Sequence, residues 1–252
     1  MDKNEIIEAY RQAAERLLLL DYDGVLAPIM PLPEQAAPSE KTCQLLKRLA
    51  NDERTTCVVV SGRPRETLEQ WLGDLPLAFA AEHGLWRREL RSTWEFVRPV
   101  STGWKQAIKE VMQGYERSLQ GSFIEEKYAG LALHYRKVTA KDTPDMIRLL
   151  LRDLEPLATQ LKLTVLNGKK VVEVIPEGID KGEAAKFWLG AKKWDFILGA
   201  GDDETDEALF KQLPPAAYSI KVGKGITQAK ERIESQSEFM LLLESLAEGR
   251  DR

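Results

Sequence analysis

Leu17-Leu18-Leu19-Leu20-Asp21-Tyr22-Asp23-Gly24 carries four leucines straight into an acidic turn. An apolar run this short, stopped by polar residues, reads as a buried strand. Two carboxylates at its carboxyl end, two residues apart, cannot both belong to a core. They must be solvated, cap a helix or bind something positive. In an open parallel sheet, ligands bind beyond the carboxyl ends of the strands. Two other apolar runs in the chain end in the same way. Cys57-Val58-Val59-Val60 leads into Ser61-Gly62-Arg63-Pro64. Phe196-Ile197-Leu198 leads, through Gly199-Ala200-Gly201, into Asp202-Asp203-Glu204-Thr205-Asp206-Glu207. If these strands are parallel neighbours, their polar ends gather at one sheet edge.

Between these strands the sequence alternates with helix. Leu45, Leu46 and Leu49 give a helical face from Glu40 to Leu49. Pro64 stands where a helix begins, with Leu68, Trp71 and Leu72 as its apolar face. Leu77 to Ala81 reads as a further strand, ending in Glu82-His83-Gly84. A βαβαβ rhythm predicts an α/β fold, a Rossmann-like doubly wound parallel sheet with helices on both faces.

The pattern changes near Pro99. Trp104, Ile108, Val111, Met112, Tyr115 and Leu119 mark an amphipathic helix. Phe123 to Arg136 reads as two strands broken at Ala129-Gly130, and Met146, Leu149, Leu150 and Leu154 mark a second helix. Leu163–Leu166 and Lys169–Ile175 flank Asn167-Gly168, the strongest short hairpin signal. This block predicts an inserted α+β cap over 100–176, within a core of 1–99 and 177–252.

Composition narrows the function. The 252 residues suit one domain with an insert, and a net charge of −4 argues against general nucleic-acid binding. No apolar run approaches the roughly 18–20 residues that span a membrane. The opening MDKNEIIEAYRQAAERL reads as a charged amphipathic helix rather than a secretory signal. Two cysteines, Cys43 and Cys57, make no disulfide framework. These features fit a cytoplasmic protein with reduced thiols.

Each polar cluster has more than one reading alone. Asp21 and Asp23 suit a nucleophile toward phosphorus beside a proton donor and acceptor. They also suit an acidic surface turn, or a glycosyltransferase metal site. Five acids from Asp202 to Glu207 offer hard oxygen ligands for magnesium, or stabilise a helix N-terminus. Ser61 and Gly62 offer a hydroxyl and backbone N–H groups to an anion, or a simple helix cap. Lys181 opposes the dipole at a helix start unless an anion compensates; otherwise it is a surface lysine.

In combination and in this order, DYDGV, SGR, the lysine of DKG, and GDDETD resemble the haloacid dehalogenase superfamily of phosphohydrolases. The strings LLLLDYDGVLAPI, VVVSGRP, AEHG, EEKYAGLALHYR, GKKVVEV and LGAGDDETDEALF resemble the trehalose-6-phosphate phosphatase family more closely. They run from Leu17 to Phe210 and include the insert. Val25 departs from the threonine usual there, with little expected consequence, because both residues are β-branched.

The resemblance implies roles. Asp21 would attack phosphorus, and Asp23 would act as acid and then base. Magnesium would be held by Asp21, the Asp23 backbone carbonyl and Asp202, with Asp206 and Asp203 supporting that set. Ser61, the Gly62 backbone and Lys181 would hold the phosphoryl oxygens, with Arg63 beside them. In the cap, Glu125, Lys127 and Glu173 would contact the sugar, with His83 and Arg136 as further contacts; Ala132, His134 and Arg136 are expected on one strand face. The implied substrate is a small sugar phosphate, trehalose 6-phosphate. A trehalose-6-phosphate synthase would be a partner or a fused domain, or the enzyme would stand alone. The core motifs equally suit a phosphatase of sucrose phosphate, mannosylglycerate phosphate or a hexose phosphate. A non-catalytic trehalose-6-phosphate-binding domain would not need both Asp21 and Asp23.

Overall fold

The computed structural model describes residues 2–248. In chain order the first elements are α1 (Lys3–Gln12), β1 (Arg16–Leu20), α2 (Glu40–Ala50), β2 (Thr55–Val60), α3 (Arg65–Leu72), β3 (Ala78–Ala81), β4 (Trp86–Arg88) and β5 (Glu95–Phe96). Next come α4 (Lys105–Ser118), β6 (Phe123–Glu126), β7 (Leu131–His134), α5 (Thr143–Leu161), β8 (Leu163–Gly168) and β9 (Val171–Pro176). The chain continues through α6 (Lys181–Leu189), β10 (Phe196–Gly201), α7 (Asp206–Gln212), β11 (Tyr218–Val222), β12 (Glu231–Ile233) and α8 (Gln236–Ala247). It divides into two compact units. One combines the segment up to Val97 with that from Asp180 onward; the other is Arg98–Ile179.

The first unit is built on a sheet of order β12-β11-β10-β1-β2-β3-β4-β5. The strands from β12 to β3 are all parallel. β1 is central, and strand order departs from it in opposite directions, which makes the β1–β10 junction a topological switch point. Register puts Leu20 level with both Ala200 and Val59. Asp21, Gly201 and Val60 therefore leave the sheet at one level.

β1 is buried along its whole length because both faces are covered. Leu18 and Leu20 join a core with Ile6 and Tyr10 of α1, Leu46 of α2, Leu68 of α3 and Phe239 of α8. Leu17 and Leu19 join a second core with Trp188 of α6 and Leu209 of α7. Full burial of each leucine stabilises by about 1.5–3 kcal/mol, so the rigid floor of the acidic turn is set by packing.

Two details differ from the sequence reading, and the expected free thiols are present. β4 and β5 add an antiparallel edge and β12 a short parallel one, in segments too brief to show a periodic pattern. Pro64 precedes α3 as its cap residue rather than starting it. Cys43 and Cys57 are free thiols, and burial pushes Cys57 up to about 12. No helix among the described residues is long and apolar enough to cross a membrane.

The second unit is an antiparallel sheet of order β6-β7-β9-β8 with α4 and α5 against it. Leu131, Leu133, Val172 and Val174 point into the core with Ile108 and Met112 of α4 and Leu150 and Leu154 of α5. The hairpin turn is not at Asn167-Gly168. Asn167 pairs with Val172 and Gly168 with Val171, so Lys169-Lys170 forms the loop, with Lys170 at φ +68°. The observed register makes six pairs and sets Val165 opposite Val174. A turn at Asn167-Gly168 would set Val165 opposite Lys170 and leave Glu173–Pro176 without a partner in β8. Apolar pairing outweighs the turn preference.

Candidate active site

The Asp21 N–H extends the ladder by donating to Ala200 O at 3.0 Å. The chain then turns sharply. Tyr22 O accepts from the N–H groups of Leu26 and Ala27, both at 2.9 Å, and Gly24 N–H donates to Ala27 O at 2.8 Å. Gly24 has φ +74°, and a Cβ there would lie 2.1 Å from Asp202 Oδ2. Glycine is needed both for the left-handed backbone and for the approach of the Asp202 carboxylate.

Asp21, Asp202 and Asp206 are all buried, and each places an oxygen within 4.8 Å of the others. Lys181, also buried, lies 2.8 Å from Asp21 Oδ1 and 2.7 Å from Asp206 Oδ1. Asp180 caps α6 by accepting from the N–H groups of Gly182 and Glu183, which fixes where Lys181 starts the helix. Asp206 Oδ2 accepts from the backbone N–H groups of Asp202 and Asp203, both at 2.9 Å. Asp206 thus shapes the acidic loop and anchors the ammonium with separate oxygens.

Three carboxylates and one ammonium leave two formal negative charges in a buried volume. Burial, followed by the Asp206 charge, raises the Asp21 pKa well above its ordinary value of 3.8, with Lys181 opposing. Burial pulls Lys181 downward, but Asp206 and Asp21 outweigh it and raise its pKa. A buried, oxygen-only set with surplus negative charge suits a hard divalent cation. Because Asp206 has both oxygens engaged, Asp21 and Asp202 are the carboxylates best placed to take it.

Asp23 is not part of that trio. Its side chain is 39% exposed, and Arg63 grips it as a fork: Nε donates to Oδ2 at 2.8 Å and Nη2 to Oδ1 at 2.7 Å. Arg63 Nη1 donates to Pro33 O at 2.9 Å, and its guanidinium lies 4.7 Å from the Trp71 ring centre and 5.4 Å from that of Tyr22. Arg63, expected at the substrate, is instead engaged on all three nitrogens by protein. Tyr22, whose hydroxyl donates to Ala36 O at 2.6 Å, and Trp71 brace it.

Ser61 follows β2 and is buried. It does not cap α3: its Oγ accepts from Arg63 N–H at 3.2 Å, and its carbonyl accepts from His83 N–H at 3.0 Å. His83 packs so closely on Gly62 that a Cβ there would lie 2.6 Å from the imidazole Nε2. Glu82 and His83 both hold left-handed backbone, φ +46° and +58°, which non-glycine residues adopt at a cost of order 1–3 kcal/mol. Glu82 N–H donates to Arg63 O at 3.0 Å, tying this turn to the end of β2.

One buried residue of this edge was missed in the sequence. Lys221, opposite Gly201 in the sheet, donates to Asp203 O at 2.8 Å and lies 3.3 Å from Glu207 Oε1. Glu207 Oε2 in turn accepts from Gln228 N–H at 2.7 Å. The only available signal was a lysine inside the strand Tyr218-Ser219-Ile220-Lys221-Val222.

In the second unit, Glu125 pairs with Ala132 and Ala132 with Glu173, so these three cross the sheet in line on the face opposite its core. Lys127 Nζ lies 2.6 Å from Glu173 Oε1, and His134 Nε2 lies 2.8 Å from Glu125 Oε2. Phe123 stacks on His134 at 4.8 Å. Burial raises the Glu125 pKa, but the His134 hydrogen bond and the Lys127 charge outweigh it and hold the carboxyl low. Arg136 does not share the strand face with Ala132 and His134. β7 ends at His134, and Arg136 lies exposed in the following turn, donating to Lys169 O. The tight hairpin supplies a carbonyl that captures it.

The sequence model of the trehalose-phosphatase family matches residues 19–242. A bifunctional trehalose-6-phosphate synthase/phosphatase of Thermoproteus tenax is 42% identical over 237 residues, covering 94% of this chain and 32% of that protein. A trehalose-phosphatase of Zygosaccharomyces rouxii is 34% identical over 236 residues, covering 84% of this chain and 26% of that protein. The chain thus spans about a third or less of the length of these relatives. Among solved structures, the C-terminal domain of Candida albicans trehalose-6-phosphate phosphatase superposes with a TM-score of 0.94 at 26% identity, covering 98% of this chain and 97% of that one.

Proposed function

Because the chain belongs to the trehalose-phosphatase family, we propose that it hydrolyses trehalose 6-phosphate to trehalose and phosphate. The observation that carries the mechanism is the contrast between two carboxylates two residues apart. Asp21 is buried against Lys181, among further acids, while Asp23 is partly exposed and held by Arg63. Carboxylates in such different surroundings take different roles.

Asp21 attacks phosphorus in line, and the bond to the sugar oxygen breaks as a phospho-aspartate forms. Asp23 delivers a proton to the departing sugar oxygen, an alkoxide that leaves poorly without it. Asp23 then takes a proton from the water that attacks the phospho-aspartate, which releases phosphate, frees Asp21 as a carboxylate and returns Asp23 to its acid form. Such acid–base help is worth about 10²–10⁴-fold. Lys181, Ser61 and the Gly62 N–H orient the phosphoryl oxygens, and positioning of this kind is the main work in phosphoryl transfer. Asp21, Asp202 and the Asp23 carbonyl would hold Mg²⁺, which when bound offsets repulsion between the carboxylate and the phosphate dianion. Asp206 and Asp203 shape that set.

On the second unit, Glu125, Lys127 and Glu173 offer a polar face to the disaccharide. A trehalose-6-phosphate synthase, fused or separate, would supply the substrate. We place the enzyme in the cytoplasm, where Cys43 and Cys57 stay reduced.

The test is magnesium-dependent phosphate release across a panel of sugar phosphates. Trehalose 6-phosphate is expected to give the highest kcat/KM, and Asp21→Asn to abolish turnover. A preference for sucrose phosphate or a hexose phosphate would reassign the substrate. Binding without turnover in the wild type would favour the non-catalytic reading.

A further inference from the structure

Arginines converge at the other end of the central strands, away from the carboxylate cluster and the residues around it. A cavity of about 40 Å³ is lined by Tyr10, Arg11, Arg16, Arg48, Asp52 and Arg54, with the end of α8 beside them. Arg16 begins β1 and Asp21 follows its end, so five residues of strand, about 17 Å, separate this cavity from the carboxylate cluster.

Arg16 forms the floor and is only 2% exposed. Its Nε donates to Ala13 O, its Nη2 to Arg11 O and its Nη1 to Asp52 Oδ2, each at 3.0 Å. Its guanidinium lies 4.2 Å from the Tyr10 ring centre. Arg54 also grips Asp52, with Nε on Oδ1 and Nη2 on Oδ2, both at 3.2 Å. The one carboxylate of the lining is therefore already shared between two guanidiniums. Arg11 and Arg48 are exposed, and neither side chain makes a hydrogen bond or ion pair with any described residue.

Four guanidiniums against one carboxylate leave three positive charges around this cavity, in a chain whose net charge is −4. Arg11 and Arg48 lie in the last turns of α1 and α2, where helix dipoles favour cations. That preference accounts for each residue separately. It does not account for both helices ending at a cavity that Arg16 and Arg54 already make positive. All four cations are arginine, whose planar fork matches the oxygens of a phosphate better than the ammonium of lysine does.

We propose that this cavity is a second anion site, which takes a phosphate group either as inorganic phosphate or on a small metabolite. A dianion would reduce the local surplus from three charges to one.

The test is titration calorimetry of the whole chain with inorganic phosphate at constant ionic strength, in EDTA. Wild type is compared with Arg11→Ala/Arg48→Ala. Both residues are exposed, so the variant should fold, and unchanged activity on p-nitrophenyl phosphate would establish that the catalytic edge is intact. Wild type is expected to bind one more phosphate than the variant, or to lose about tenfold or more in affinity at one site on substitution. Sulfate should compete and chloride should not. Glucose 6-phosphate forms the second arm: tighter binding than phosphate identifies a metabolite-borne group, and equal binding identifies the free ion. Identical phosphate stoichiometry and affinity in wild type and variant would overturn the proposal. So would a difference that chloride abolishes equally well. If the double variant does not fold, Arg48→Gln is read by the same criteria. Phosphate release by the catalytic site is a separate measurement, so the two conclusions can fail independently.

Discussion

Replacing Lys181 with methionine removes the ammonium that touches both Asp21 and Asp206 while keeping an unbranched side chain of similar length. At an effective dielectric of about 20, an ion contact at 2.7–2.8 Å is worth about 6 kcal/mol of Coulomb energy. Desolvation of the three buried groups cancels much of this. Breaking a buried pair by removing one partner costs about 3–5 kcal/mol, because a charge is left uncompensated. We expect Lys181→Met to lose that amount of stability by urea denaturation at pH 8 without divalent cations.

The loss should depend on pH, with a definite sign. Asp21 has a raised pKa in the folded chain, so above pH 3.8 the folded state binds more protons than the unfolded state. Stability then falls as pH rises, in wild type and more steeply in the variant. At pH 5 the variant can relieve the cluster by protonating a carboxylate, and its deficit should shrink. Adding Asp206→Asn to Lys181→Met should recover part of the loss, with a coupling of at least about 1 kcal/mol. Magnesium at 100 times its dissociation constant should stabilise wild type by about 2.7 kcal/mol. A loss below about 1 kcal/mol at pH 8, or an equal loss at pH 5 and pH 8, would refute the assignment of Lys181 as the charge that makes this carboxylate cluster tolerable.

Gly24→Ala places a Cβ 2.1 Å from Asp202 Oδ2 on a backbone with φ +74°. It should cost about 1–2 kcal/mol from backbone strain and weaken magnesium binding, both measurable by thermal unfolding with a metal titration. Arg63→Met frees Asp23 from its fork, so kcat on a sugar phosphate should fall by about 10²-fold and that on p-nitrophenyl phosphate, whose leaving group needs no proton, by far less. A rise in KM alone would instead return Arg63 to substrate binding. Glu125→Gln/Lys127→Met/Glu173→Gln should raise KM for trehalose 6-phosphate much more than for p-nitrophenyl phosphate. Equal changes for both substrates would remove the sugar-contact role.

Much of this was legible in the chain itself. Leu17–Leu20, Cys57–Val60 and Phe196–Leu198 are apolar on successive residues because both sheet faces are covered, and that pattern is local. The same holds for the helical spacing of Leu45, Leu46 and Leu49, and for the polar residues that stop each strand. From these the parallel α/β core, the different character of the insert and the identity of the acids at the strand ends all follow. Local pattern could not say what each acid touches. Asp21 meets Lys181 across 160 positions of sequence only because β1, β2 and β10 lie side by side in register. Register also decides that Asp206 supports rather than exposes its oxygens, that Arg63 serves Asp23, and that Lys221 braces the Asp203 loop. In the hairpin, cross-strand pairing of Val165 with Val174 overrode the Asn167-Gly168 turn signal. Side-chain periodicity is written along the chain, whereas a contact between distant side chains exists only once packing has fixed how the strands align.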